Sequence, residues 1–321
     1  MLHTVFHGLS RCAMIAACAM PLATLAQSNT IKLVVGAPPG GTTDTVARSI
    51  AQHMGQDLKR TVLVENKPGA GGNIAADYVA KSKADGNTLL VTFTSFSINA
   101  SLYRKLPFDT IKDFTPISML ANVPSVLVTR KDFPAQNMAE FVKEVKAHPG
   151  KYTMALGAVG SSLHMAGERM KMMSGLDILN VPYKGTAPAL TDVLGGQVDM
   201  MFASSMNALS PVKSGTLKAL GVTSTAELQQ YPGVPPIGDT IKGFESNAWF
   251  AMFGPAGLSP KVVAELNRAA RKAVDTPDFR KLLEGEAATA VSSTPEELGE
   301  FVRKDIARYA EIVKFTGATV D

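Results

Sequence analysis

Two stretches of the chain carry residue types that can hold a small anion without a metal ion or a basic cluster. One is Pro38-Pro-Gly-Gly-Thr-Thr-Asp44; the other is Gly157-Ala-Val-Gly-Ser-Ser162. Each follows an apolar run of strand character and precedes a run with helical spacing. A loop that leaves a strand and opens a helix presents backbone N–H groups without intrahelical partners, together with the positive end of the helix dipole. Gly40 and Gly41 let that backbone approach a ligand with no Cβ in between. Thr42 and Thr43 add hydroxyls, and Asp44 reads as a helix-starting residue. Gly160, Ser161 and Ser162 repeat the arrangement. Glycines of this kind also serve plain tight turns. The occurrence of two such loops, each followed by hydroxyls, is what favours a binding role.

Other chemistry is thinly represented. His164 sits one turn into the second helix, where it can donate to a carboxylate or serve as a structural side chain. Lys184, in Pro182-Tyr-Lys-Gly185, can supply a charge or simply face solvent. The chain contains no HExxH, GxSxG, GxGxxG or P-loop pattern, and beyond residue 26 its histidines, His53, His148 and His164, are not paired at metal-ligand spacing. No cofactor or metal is expected. Ser161 and Ser162 lie close to His164, and Ser210-Pro-Val-Lys213 fits S-x-x-K. Neither arrangement supplies a nucleophile, a base and an orienting group together. A serine hydrolase using Ser161 or Ser210, or a ligand-sensing partner protein, is therefore the alternative to a binding protein.

The elements that must position these loops alternate short apolar strands with amphipathic helices, the pattern of an α/β fold with largely parallel strands. Strands are expected at 31–35, 61–65, 88–93, 151–156, 178–181, 198–203, 217–223 and 248–254, with two apolar runs around Pro124. Val46, Ile50, Met54 and Leu58 keep helical spacing after the first loop. Helices are also expected near 73–82, at 162–174 and at 187–194. Asn137 with Glu140, and Thr294 with Glu297, have capping-box spacing. Ser259-Pro260 and Thr276-Pro277 open further helices with Pro at the first helical position. Trp249 and Met165, Met170, Met172 and Met173 read as core. A strand, glycine-rich loop and helix occur near 31–58 and again near 151–174.

The first 26 residues stand apart. One Arg (Arg11) and no acid precede an apolar run from Cys12 to Ala26, which is short for a membrane span of about 20 residues. Thr24-Leu25-Ala26 places small residues at a signal-peptidase site, so 1–26 reads as a signal peptide and Gln27 as the mature start. Ile15-Ala-Ala-Cys18 also resembles a lipoprotein box, a second-ranked reading. Cys12 and Cys18 are the two cysteines, so the mature chain would have no disulfide or thiolate chemistry. A formal net charge of +4 in 321 residues, with no long Lys/Arg block, argues against a nucleic-acid or anionic-membrane partner.

These residues, taken together, resemble the extracytoplasmic solute receptors of tripartite tricarboxylate transporters, the Bug receptors, over nearly the whole mature chain. The anchors are Pro38-Pro-Gly-Gly-Thr-Thr-Asp-Thr-Val-Ala-Arg48, Val64-Glu-Asn-Lys-Pro-Gly-Ala-Gly-Gly72, Asn99-Ala-Ser-Leu-Tyr103, Gly160-Ser-Ser-Leu-His164, Val181-Pro-Tyr-Lys-Gly185, Gly196-Gln-Val-Asp-Met-Met-Phe202 and Phe253-Gly-Pro-Ala-Gly257. The resemblance implies a two-lobed, periplasmic-binding-protein type II-like fold with a mainly parallel sheet in each lobe. Lobe 1 would comprise 27–125 and 250–321, and lobe 2 would comprise 126–249, with crossings near 124–131 and 244–252. It further implies a small organic carboxylate held between Pro39, Gly40, Gly41, Thr42 and Thr43 of one lobe and Gly157, Gly160, Ser161 and Ser162 of the other. Ser95, Ser97, Ala203 and Ser204 would line the same cleft, at the carboxyl ends of strands. Gly36-Ala37 stand where many members carry a more apolar or aromatic residue, which bears on the pocket's size. The expected protein is a periplasmic monomer that docks transiently on membrane transporter subunits.

Overall fold

The structure, a computed structural model, describes residues 30–285 and 287–320. The signal-peptide reading of 1–26 lies outside the described residues. The chain builds β1 (Thr30–Val35), α1 (Thr42–Leu58), β2 (Thr61–Asn66), α2 (Asn73–Ala80), β3 (Thr88–Phe93), α3 (Ser95–Leu102) and β4 (Phe114–Val123). It then crosses at Pro124 into β5 (Ser125–Arg130), α4 (Met138–Ala147), β6 (Thr153–Leu156), α5 (Ser162–Ser174) and β7 (Leu179–Pro182). There follow α6 (Thr186–Leu194), β8 (Met200–Ser204), α7 (Ser205–Lys213), β9 (Leu217–Val222) and α8 (Ile237–Thr240). The chain returns through β10 (Ala248–Pro255) and ends with α9 (Pro260–Val274), α10 (Pro277–Gly285), β11 (Thr289–Ala290) and α11 (Pro295–Thr316).

Two sheets result, one per lobe. The first has the order β11-β4-β10-β3-β1-β2 and the second β7-β6-β8-β5-β9. Both are buried on two faces, which explains the uninterrupted apolar strands. Leu33, Val35, Leu89 and Val91 point into the core shared with α1 and α9, while Val34 and Leu90 point the opposite way, toward Trp249 and Leu298. Leu127 and Val128 divide the second sheet's two cores in the same fashion.

Most strands of each sheet run one way, with β10 and β11 reversed in the first sheet and β5 in the second. Pairings β1–β2, β1–β3, β6–β7 and β6–β8 are parallel, as the strand–helix–strand units require. β10 is antiparallel to β3 and β4, and β5 is antiparallel to β8 and β9. β5 and β10 are the strands by which the chain enters each sheet from the other one, and entry from the opposite end reverses their direction.

A fifth apolar cluster joins the lobes. Ile98 and Leu102 of α3 and Tyr309, Ile312 and Val313 of α11 pack on Met165 of α5. Among the described residues no helix is long and apolar enough to cross a membrane.

Candidate functional site

Topology puts the two ligand-candidate loops on either side of the crossings. β1, β2 and β3 run parallel, so Gly36, Lys67 and Thr94 leave one edge of the first sheet. β4 runs the same way, because it and β3 are each antiparallel to β10, and its last residue, Val123, pairs with Ala248. One residue later Ser125 opens β5 opposite Ser204, the last residue of β8. The carboxyl edges of both sheets therefore adjoin Pro124. Ligands of open α/β sheets sit at such edges.

The crossings are tied to each other. Thr223, fully buried, donates its N–H to Ser125 O (2.9 Å) and accepts Ser246 N–H at its carbonyl (3.1 Å). Its Oγ1 accepts Ser125 N–H at 2.8 Å and donates to Asn247 Oδ1 at 3.1 Å. Trp249 donates its N–H to Thr94 Oγ1 (2.8 Å) and its indole N–H to Asp305 Oδ2 (2.9 Å), while Arg308 pairs with Asp305. Burial pushes the Asp305 carboxyl above its ordinary pKa. A cavity of about 140 Å³ lies at this junction, lined by Pro124, Ser125, Ser162, Leu163, Ser204 and Ser246. A larger groove of about 860 Å³, between α9 and α11 on the first lobe, contains none of the candidate loops.

In the first loop, Pro39, Gly40 and Gly41 are exposed and Thr42 is half-buried. Gly40 has φ +83°, and its N–H donates to Asp44 Oδ2 at 2.9 Å. The same carboxylate accepts from Arg48 Nε (2.8 Å) and Asn66 Nδ2 (2.9 Å), and Asn66 Nδ2 also reaches Ala37 O (3.0 Å). The hydrogen bond from Arg48 leads these in holding the Asp44 carboxyl pKa down to about 2. A Cβ on Gly36 would fall 2.7 Å from Gly72 Cα, so the loop rests on the second glycine-rich turn. Asn99 Nδ2 holds that turn through Gly71 O (3.1 Å) and Asn73 Oδ1 (2.8 Å).

The second loop is built alike. Gly160 has φ +79°, and its N–H donates to His164 Nδ1 at 3.0 Å. Ser161 is the N-cap of α5, its Oγ accepting His164 N–H at 3.2 Å. The remaining first-turn N–H groups, those of Ser162 and Leu163, have no intrahelical acceptor and belong to residues that line the cavity. Gly157 accepts Gly185 N–H (2.8 Å), and a Cβ on it would stand 2.9 Å from Thr186. Lys184 is exposed in this adjoining turn.

The structure thus gathers Ser162 and Ser204 at the crossing and places the 39–42 loop, Ser95 and the 157–161 loop along the two carboxyl edges. Four further candidates lie buried. Ser97 and Ala203 are fully buried, because α3 turns Ser97 inward and β8 points Ala203 into the core beneath α6. Thr43 is 8% exposed. His164 is buried beneath its loop, where its ring accepts the Gly160 amide. Sequence reasoning missed Asn66, Asn99 and Thr223 as organising residues. For the first two the signal was present in the motifs Val64–Gly72 and Asn99–Tyr103; Thr223 gave none.

Two α/β lobes joined by paired crossings, with glycine-bearing strand-end loops along the carboxyl edges of both sheets, define a two-lobed solute-binding protein. The chain belongs to the tripartite tricarboxylate transporter family receptors, whose family model matches residues 46–318. Protein BugT of Bordetella pertussis is 35% identical over 291 residues, covering 90% of this chain and 89% of BugT. The solved structure of periplasmic binding protein BugD is 34% identical with a TM-score of 0.71, covering 90% of this chain and 98% of BugD. MatC from Rhodopseudomonas palustris, solved with bound malate, is 33% identical with a TM-score of 0.70, covering 88% and 98%. The family and these neighbours are solute-binding receptors, not enzymes. The Ser161 chemistry considered from the sequence also lacks its geometry, since Ser161 Oγ accepts the His164 amide and the His164 ring is engaged with Gly160.

Proposed function

We propose that this protein is an extracytoplasmic receptor that captures a small organic carboxylate between its lobes and delivers it to a tripartite membrane transporter. The observation that carries this reading is the placement of two glycine-bearing helix starts, one per lobe, along the carboxyl edges that flank the crossings. The lobes divide at Pro124 and again just ahead of Ala248, the first lobe carrying β1–β4 and β10–α11 and the second β5–α8. Pro39, Gly40, Gly41 and Thr42 with Ser95 contribute one side. Gly157, Gly160, Ser161, Ser162 and Ser204 contribute the other, with Lys184 at the rim. The malate bound by MatC supports a carboxylate as the class. Charge is met mainly by helix ends and N–H groups, so no basic cluster is required.

Each lobe offers only part of the hydrogen bonding that the anion needs. Ligand therefore favours the closed arrangement through the contacts it gains there. Export by cleavage near Ala26, a periplasmic location, a monomeric state and transient docking on the membrane subunits complete the proposal. The test is thermal and chemical unfolding of the mature chain with a panel of mono- and dicarboxylates. A carboxylate at 100 times its Kd is expected to add about 2.7 kcal/mol. No stabilisation by any acid of a broad panel refutes it.

A further inference from the structure

The two loops share a construction that the sequence does not advertise. In each, a glycine with positive φ donates its N–H to a side chain four residues ahead: Gly40 to Asp44, and Gly160 to His164. The acceptor is a carboxylate in the first lobe and an imidazole nitrogen in the second. We infer that His164 is the positioning residue of the second lobe's ligand loop: its unprotonated Nδ1 holds 160–162 in the ligand-receiving shape by accepting the buried Gly160 amide, and protonation of the ring releases that loop. This rests on the receptor reading above and adds to it a residue with a defined protonation state.

The surroundings fix the direction. A protonated Nδ1 would set N–H against N–H, leaving Gly160 without an acceptor in a buried position. His164 Nε2 lies 3.7 Å from Glu168 Oε1, but that carboxylate is already satisfied by Lys171 Nζ at 2.6 Å and Asn180 Nδ2 at 2.7 Å. Lys171 also donates to Asn180 Oδ1 at 3.0 Å. Glu168 and Lys171 are thus the charges that face the ring from α5. β6 and β8, beneath α5, carry no ionisable side chain, nor do β7 and α3. α11 brings Asp305, Arg308 and Tyr309, whose fields act on Arg169 instead. Burial pushes the imidazole below its ordinary 6.5, with Glu168 opposing and Lys171 assisting. Release therefore occurs on the acid side of that value. Asp44 stays ionised far below it, so the first lobe's loop is untouched over the same range.

The experiment follows the Gly160 amide by hydrogen exchange in the ligand-free chain, as a protection factor at pH 7.5 and 4.0, with Gly40 as the internal reference. In the wild type, protection at Gly160 is expected to fall about tenfold between the two pH values, while Gly40 holds. H164N, whose Oδ1 replaces Nδ1 as acceptor, is expected to keep protection within about twofold at both; H164A is expected to lack it at both. Malate titrations in parallel should weaken about tenfold at acid pH in the wild type and not in H164N. Protection at Gly160 that ignores pH in the wild type, or an H164N chain that behaves as H164A does, overturns the assignment. A chain that binds no carboxylate at any pH refutes the receptor reading, whereas the Gly160 protection pattern still decides the role of His164.

Discussion

Alanine at Gly160 should cost more than alanine at Gly40, and the difference should vanish when Leu102 is shortened. Both glycines occupy the left-handed region, φ +79° and +83°, where an L-residue costs about 1–2 kcal/mol. At Gly40 an added Cβ meets nothing within 4 Å. At Gly160 it falls 2.5 Å from Leu102 Cδ2, across the lobe boundary. That methyl is the end of a flexible side chain, but Leu102 is 3% exposed and packed among Ile98, Met165, Tyr309 and Ile312. Its retreat would force a strained rotamer, at about 0.5–1.5 kcal/mol, or a shift in the packing between lobes. We expect G40A to destabilise by about 1–2 kcal/mol and G160A by about 2–3 kcal/mol. Urea unfolding of the two variants, L102A and the G160A/L102A pair measures this as a double-mutant cycle. The coupling should be about 1 kcal/mol in favour of the pair. Equal costs for G40A and G160A, with additive L102A, would refute the contact on which the reasoning stands.

Asp305 should be among the most sensitive buried positions. D305A strands the Trp249 indole N–H and the Arg308 guanidinium, an expected loss of about 3–5 kcal/mol read from chemical unfolding, and a loss below about 1 kcal/mol would mean the network does not act as described. Asp44 should contribute to acid stability with a definite sign. Its folded-state pKa lies near 2, below the ordinary 3.8, so the stabilisation is full above about pH 4 and is lost as pH falls toward 2. Because Arg48 is half exposed, the amount is discounted to about 1 kcal/mol, and D44N should flatten the stability–pH slope in that window.

The elements most legible in the sequence were those fixed by local chemistry. The Thr294 and Glu297 capping box forms with both of its hydrogen bonds, and the Asn137 side chain caps α4 through Glu140 N–H. Strands such as 31–35 and 88–93 were legible because burial on both faces leaves an unbroken apolar run. α3 was not legible. Ser97 and Asn99 are buried together with Phe96 and Ile98, so the segment has no polar face to mark its period. Strand direction was equally hidden, since nothing in Ala248–Pro255 says that it re-enters its sheet from the far side. At the site, the glycine loops could be read but their internal ties could not. Asp44 and His164 share no chemistry in sequence terms, and their common role depends on the positive φ of Gly40 and Gly160. Ser97 looked like a cleft residue because it follows a strand; one turn of helix carries it inside.

Under the proposed function, the placement of α5 gives a ligand contact a route to the junction between the lobes. Its first turn supplies Ser162 and Leu163 to the cavity at the crossing, and its next residues include His164 beneath the loop and Met165 in the cluster that joins the lobes. Gly160 touches Leu102 from the same end. One helix therefore carries first-turn N–H groups at the cavity, the ring that accepts the Gly160 amide and part of the contact with the opposite lobe. A ligand gripping that first turn would act on a helix that also packs against the opposite lobe. Its leverage equals the difference in its contacts between the two arrangements and no more. A carboxylate that satisfied only the second lobe would bind without closing the protein. The first-lobe loop, tied to Asp44 through the Gly40 N–H, would supply the differential term under the proposed function.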